Sequence, residues 1–179
     1  MAAMRILRLA LSSVAAFFAS ACDNNVVIYY TQQTQPYSIG FVGANVRDGL
    51  LAARLYGTAF SARADAETIA RAIAFPEWMA PARLTTQPGD PNRDLAVVLV
   101  FNPAYKDSGM DVTCRPGNIP QTVAGDGKTL RVAANLCYEG KSISWLYASG
   151  PQPSGLDDPK FDQLMSQVMA SLLPKSPNL

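Results

Sequence analysis

One apolar run, Leu95–Phe101, narrows the choice of folds more than any other segment of the chain. It reads Leu-Ala-Val-Val-Leu-Val-Phe, so an extended backbone would present apolar side chains on both of its faces. A strand with this pattern is buried on both faces, whereas a strand with one wet face alternates between apolar and polar residues. Asn102 and Pro103 end the run. We therefore expect Leu95–Phe101 to be a central strand of a β-sheet.

Three further segments alternate between apolar and polar side chains, which is the pattern of half-buried strands. They are Leu50–Tyr56 and residues 130–137 and 143–147. Glu139 and Gly140 stand between the last two, and Gly accepts the positive φ that a two-residue hairpin turn requires. These two strands are therefore expected to be antiparallel neighbours.

Shorter segments also have the composition of strands. Short strands are expected at residues 37–42 and 83–86. Residues 26–30 (Val-Val-Ile-Tyr-Tyr) leave two interpretations open, a short strand or a segment that docks against the domain.

The first helix is predicted to begin at Asp65. An aspartate is a good N-cap, and Glu67 lies in the first turn, where the helix dipole favours an acid. Glu67 and Arg71 are spaced at i,i+4 and can form an ion pair. The helix should end near Phe75, because Pro76 disfavours helical geometry in the residue before it.

The last helix has a clear beginning and end. Asp158 is placed to cap it, and Pro159 follows at the first helical position, where the missing N–H costs nothing. Pro174 closes it. The apolar residues between them repeat at helical spacing and form one core-facing stripe: Phe161, Leu164, Met165, Val168 and Leu172.

Together these elements predict an α+β domain. Hairpin-linked strands with helices set apart from them suggest an antiparallel sheet of four to five strands, with the two helices packed on one face.

The beginning of the chain has the features of a secretory signal peptide. Arg5 and Arg8 supply positive charge, residues 9–18 form a short apolar run, and the small residues Ala19-Ser20-Ala21 precede Cys22. The apolar run is shorter than the roughly 20 residues that span a bilayer. Signal peptidase would recognise Ala-Ser-Ala as an ordinary A-x-A site, which leaves a soluble periplasmic or secreted protein as one interpretation.

The same residues followed by Cys22 resemble the lipobox of bacterial lipoproteins, in which the cysteine thiol is acylated and becomes the new N-terminus. Ala19 stands where that family usually has Leu. The resemblance implies a signal peptide at residues 1–21, a lipidated Cys22 with a tether over residues 22–36, and a single domain over residues 37–179. In enteric lipoproteins an Asp in the place of Asp23 favours retention at the inner membrane.

The layout as a whole resembles the small envelope lipoproteins of Gram-negative bacteria, and it implies an acyl-anchored domain facing the periplasm. The chain has three cysteines, and lipidation of Cys22 leaves Cys114 and Cys137 as an even pair. A bridge between them would pin the long loop over residues 104–128 to a strand end. It would add about 3 kcal/mol by loop entropy. A redox-active pair is the alternative, but such pairs normally lie close together as C-x-x-C.

Composition removes several classes of function. The chain has no histidine, which excludes Ser-His-Asp and Cys-His catalysis and imidazole-based zinc sites. No S-x-x-K nucleophile motif occurs. Two of the 15 basic residues lie in the leader, so the rest of the chain holds fewer bases than its 14 acids. Nucleic acid, which requires several cationic phosphate contacts, is therefore not an expected partner. No cofactor and no metal site is predicted.

The long loop is the candidate binding loop, because loops carry recognition more often than strands do. Tyr105, Asp107 and Asp111 lie in it. The leading hypothesis is a non-enzymatic, membrane-anchored module that binds another envelope protein. The alternative is a periplasmic module for a small molecule or glycan, with an aromatic-lined pocket between this loop and the sheet. A third is an enzyme that uses a pair of carboxylates alone.

Overall fold

The structure is a computed structural model, and it describes residues 25–46, 48–60, 64–87, 94–105, 113–115 and 117–176. Two short helices separate the first three strands, and the last helix follows the sixth strand. The strands are β1 (Val27–Gln33), β2 (Leu50–Tyr56), β3 (Arg83–Thr85), β4 (Leu95–Phe101), β5 (Thr129–Tyr138) and β6 (Lys141–Pro151). The α-helices are α1 (Ile39–Ala44), α2 (Ala66–Ala72) and α3 (Pro159–Leu172), and a 3₁₀ turn covers Glu77–Met79.

Within the described residues, the strands form one six-stranded sheet in the order β1-β6-β5-β4-β2-β3. β1, β6, β5 and β4 pair antiparallel, whereas β2 is parallel to both β3 and β4. The prediction of four to five antiparallel strands is thus matched only roughly. The difference arises because α2 lies between β2 and β3 in the chain, and a helical crossover returns the next strand in the same direction.

The main core lies between the sheet and the helices. Odd residues of β4 and even residues of β5 point into it, as do Leu51 and Ala53 of β2. All three α-helices place buried side chains in the same cluster: Val42 from α1, Ile69 and Ala70 from α2, and the full predicted stripe of α3. The helices α1, α2 and α3 therefore pack on one face, as expected, but α1 is additional to the two helices that were predicted.

The helix α1 corrects one prediction. Residues 37–42 are not a strand, because α1 begins at Ile39. The Ser38 side chain accepts a hydrogen bond from the Phe41 N–H at 3.1 Å and so caps the helix. The side chain of Ser38 satisfies a donor that a helix start leaves unpaired, which favours a helical turn over an extended segment.

The second face of the sheet carries a smaller buried cluster, which accounts for the apolar pattern of β4 on both sides. Val98 and Val100 of β4 contact Cys114, Ala133, Cys137, Trp145 and Tyr147 there. The Arg54 guanidinium donates to the Cys114 carbonyl at 3.1 Å, which fixes the 113–115 segment over this face. The central position predicted for Leu95–Phe101 is confirmed, since every residue of β4 is buried.

The predicted starts of α2 and α3 are confirmed, whereas α2 ends at Ala72, before the predicted end near Phe75. Asp65 and Asp158 are the N-caps of α2 and α3, and Pro159 occupies the first turn of α3. Three side chains from distant elements then satisfy the carbonyls at the end of α3. Ser144 donates to Leu172 at 2.6 Å, Trp78 to Leu173 at 2.9 Å and Tyr37 to Pro174 at 2.8 Å. These bonds tie the last helix to β6, the 3₁₀ turn and the start of α1.

Glu67 joins α2 to the end of β3. Its carboxylate accepts from the Arg71 guanidinium at 2.7 Å and from the Thr86 N–H at 2.6 Å and hydroxyl at 2.9 Å. Burial raises the pKa of this carboxyl, but the bonds from Thr86 and Arg71 outweigh it, so the pKa lies below its ordinary value. The i,i+4 pair predicted from the sequence is therefore part of a larger contact.

Two positions depend on glycine, one for its positive φ in a turn and the other for a close backbone approach. Glu139 and Gly140 have φ values of 50° and 76°, which confirms the tight hairpin between β5 and β6. Gly57 has φ +77°, and a Cβ placed on it would overlap the Phe101 carbonyl oxygen. The end of β2 can therefore approach β4 only with glycine at this position.

Candidate functional site

The predicted disulfide is formed. The Cys114 and Cys137 sulfurs are 2.00 Å apart and the Cα atoms 5.3 Å apart, and both residues are buried. Cys137 lies near the end of β5, opposite Ala96 of β4. The bridge therefore holds the 113–115 segment against the second face of the sheet.

The candidate binding loop is only partly within the described residues. Tyr105 is 65% exposed, in agreement with a surface position. Asp107 and Asp111 lie outside the described residues, as does Cys22. In the described ranges no group of three acidic or cysteine side chains is placed to hold a metal ion. No helix in those ranges is long and apolar enough to cross a membrane.

An open cleft of about 410 Å³ lies at the hairpin end of the sheet. One wall is the end of β1 with the following residues, including Gln32, Thr34 and Gln35. The other wall comes from the β5–β6 hairpin and the start of β6, including Lys141 and Trp145. The cleft is thus not where the small-molecule hypothesis expected a pocket, between the 104–128 loop and the sheet.

The cleft is lined mainly by neutral polar groups and one indole. Amides and hydroxyls form most of the wall, and Glu139 and Lys141 contribute one charge of each sign. A hydrogen bond to the Glu139 carboxylate raises the pKa of the Tyr138 phenol above its ordinary value. Such a lining can hydrogen-bond to hydroxyl or amide groups.

A buried amide lies next to the cleft. Asn135 is 1% exposed, and its Oδ1 accepts from the Ser142 hydroxyl at 3.0 Å. Its Nδ2 has no hydrogen-bond partner among the described residues. A buried N–H without an acceptor costs roughly 1–3 kcal/mol. Asn135 is the cross-strand partner of Trp145, so the unsatisfied amide lies beside a residue that lines the cleft.

The outer strand β1 forms the side of the cleft and one end of the sheet. Val27 is 43% and Tyr29 is 48% exposed. The Tyr29 ring lies 5.4 Å from that of Tyr147, and its hydroxyl is 3.2 Å from the Ser149 hydroxyl. All of β1 lies within the 22–36 segment that was predicted as a tether, so this part of the segment belongs to the sheet. Of the two interpretations of residues 26–30, the structure has the strand.

Sequence reasoning identified the disulfide and gave a strand at residues 26–30 as one of two interpretations, but it missed the cleft. The segment that forms the edge strand and one wall of the cleft differs from the rest of the chain in its lack of charge, since residues 24–46 contain no charged residue. Their position beside β6 was hidden, since the contacts join residues more than 100 positions apart.

Comparison with known proteins identified no relative of this chain. No protein-family model, no curated protein and no solved structure matches the chain. Functional inference therefore rests on the geometry of this chain alone.

Proposed function

We propose that this protein is an exported, lipid-anchored and non-catalytic module of the bacterial cell envelope, and that its domain binds another envelope component. The observation that carries the proposal is the buried Cys114–Cys137 disulfide. Structural disulfides persist in oxidising compartments such as the periplasm and are rare in the cytosol. A buried bridge with wide sequence spacing fits a structural role better than a redox one.

The third cysteine supports the anchor. Cys22 follows the small residues Ala19-Ser20-Ala21 and takes no part in the internal bridge. Because Val27 is only five positions further on, the chain between them reaches at most about 18 Å. Acylation at Cys22 would therefore hold the start of β1 close to the membrane surface, and a partner at that edge would be membrane-proximal.

The anchor and the bridge can be tested together by the intact mass of the protein isolated from its native membrane. The expected mass is that of residues 22–179 plus a diacylglycerol and an acyl chain. Two thiols should become open to alkylation only after reduction. A Cys22→Ser variant should lose the lipid and keep the bridge, which separates the two claims. A wild-type mass without lipid would contradict the anchor, and thiols that alkylate without reduction would contradict the bridge.

Binding to an envelope component needs its own test. A photo-crosslinking residue in place of exposed Tyr29 should yield a discrete adduct in cells, whereas the same residue in place of exposed Gln163 on α3 should not. An identical set of adducts at both positions, or none at either, would contradict a partner at this end of the sheet.

A second candidate function, the binding of a small molecule or glycan, is favoured by the cleft. Its amide and hydroxyl lining beside an indole suits the hydroxyl groups of a sugar. Titration with N-acetylglucosamine oligomers should shift the NMR signals of Gln32, Gln35 and Trp145, and Gln32→Ala should weaken the response. Shifts spread evenly over the domain, or none at millimolar sugar, would count against this function.

A further inference from the structure

The two edges of the sheet differ in their protection. Exposed edge strands can pair with other chains, and proteins usually block them by shortness, charge or proline. β3 is blocked in all three ways, since it has three residues, begins with exposed Arg83 and follows Pro81. β1 has seven residues and belongs to the uncharged stretch 24–46. In the described part of the chain no strand lies beyond it.

The outward peptide groups of β1 can be assigned from its pairing with β6. The Thr34 N–H donates to the Ile143 carbonyl at 3.0 Å, and the register runs regularly from there back to Tyr30. In an antiparallel pair the bonded residues alternate. Tyr30 and Gln32 therefore bond to β6, and Thr31 and Gln33 turn their N–H and C=O groups away from the sheet.

We propose that β1 pairs antiparallel with β1 of a second copy of this chain, with Gln32 opposite Gln32. In this register Thr31 of each copy lies opposite Gln33 of the other, so their outward groups exchange backbone hydrogen bonds across a twofold axis. The two six-stranded sheets then join into one continuous sheet. The proposal goes beyond the proposed function, because it requires neither the lipid nor another protein.

Charge and register both favour a second copy as the occupant. β1 brings no like charges together when it meets itself, and it offers no ion pair to a charged strand. The irregularity between Ile28 and Tyr30 limits the regular edge to the part that follows it, which centres a symmetric pair near Gln32.

The symmetry also closes the assembly. A β1–β1 contact is isologous and stops at two copies, whereas a β1–β3 contact would continue into a fibre. The short and charged β3 edge opposes the second arrangement. A single strand pair buries little area, so the dimer should be weak in solution and stronger when both copies are held on one membrane.

Cysteine crosslinking tests the register directly. The background is the mature chain, residues 22–179, with Cys22→Ser and the native bridge intact. On oxidation Gln32→Cys should form a covalent dimer about tenfold faster than Gln163→Cys, because facing residues of a non-bonded antiparallel pair lie close enough for a disulfide. An equimolar mixture of Thr31→Cys and Gln33→Cys should crosslink faster than either variant alone.

Charge exchange provides a second test, since Thr31 is exposed and tolerates substitution. In the Gln32→Cys background Thr31→Lys should slow crosslinking, and added salt or an equal amount of Thr31→Glu should restore it. Thr31→Val should leave the rate unchanged. The proposal is overturned if Gln32→Cys crosslinks no faster than Gln163→Cys, or if Lys and Glu variants together are as slow as each alone. Either result would mean that β1 does not pair with itself in this register, and that a different protein would have to be the partner of this edge.

Discussion

Removal of the Cys114–Cys137 disulfide is expected to lower the free energy of unfolding by about 4 kcal/mol. The bridge joins residues 23 positions apart. For a loop of that length the chain-entropy relation gives about 3 kcal/mol. The two cysteines are only 1% and 2% exposed, so Cys→Ala changes also withdraw two sulfur atoms from the apolar cluster on the second face. That loss adds on the order of 1 kcal/mol.

The measurement is urea unfolding followed by circular dichroism, in a Cys22→Ser background so that no third thiol interferes. The double variant Cys114→Ala/Cys137→Ala is compared with its parent. The parent with a reductant is the matched control, because it breaks the bridge without changing a residue. Its loss should be near the entropic part alone, about 3 kcal/mol.

The size of the loss decides whether the bridge supports the whole domain. A loss below about 1 kcal/mol would refute the reasoning, because it would mean that the unfolded chain gains little freedom when the bridge is opened. The bridge could instead stabilise only the segment that it holds on the second face of the sheet. Amide exchange would then become faster near Cys114 while β5 and β6 keep their protection, and the role of the bridge would be limited to that segment.

Three further perturbations test the interior. Burial raises the pKa of Tyr37 above its ordinary value of 10.0, so its contribution is complete below pH 10 and is lost as the pH rises further. The free energy of unfolding of Tyr37→Phe should fall less steeply with rising alkaline pH than that of the parent. At neutral pH the variant should be about 1 kcal/mol less stable in urea titrations. Glu67 has a lowered pKa, so its contribution is present above the ordinary value of 4.5 and is lost in acid. Glu67→Gln should cost about 1 kcal/mol at pH 7 and less at pH 3, and an equal cost at both would contradict the assignment. Gly57→Ala should lower stability by about 2 kcal/mol or more in thermal melts, because its Cβ meets the Phe101 carbonyl. Gly43→Ala, with open space around it, should not.

Local signals in the sequence were sufficient where an element is defined by its own residues. β4 was recognisable because apolar residues on both faces have no other stable place than the middle of a sheet. The caps of α2 and α3 were recognisable because the Asp65 and Asp158 side chains satisfy N–H groups of the first turn. The turn at Glu139 and Gly140 followed from glycine's tolerance of positive φ.

One local signal was misread. Residues 37–42 have enough apolar character for a strand, but Ser38 caps the helix α1, which begins at Ile39 and buries Val42. The helical and strand periods of apolar residues cannot be distinguished over so short a segment, and tertiary packing decides between the two structures. The cap at Ser38 was the available clue.

The sequence by itself determined the strands and helices with strong periodicity and their caps, because these depend on neighbours within a few positions. It also supplied the cysteine pair, since three cysteines with one at a lipobox-like site leave only two. The tertiary structure alone decided that β2 runs parallel to β4 and that β1 is the edge strand beside β6. It also decided that a cleft forms where the end of β1 and the following residues meet the β5–β6 hairpin. Those features depend on contacts such as Thr34 with Ser142, 108 positions apart, and no local pattern encodes which distant strand becomes the neighbour.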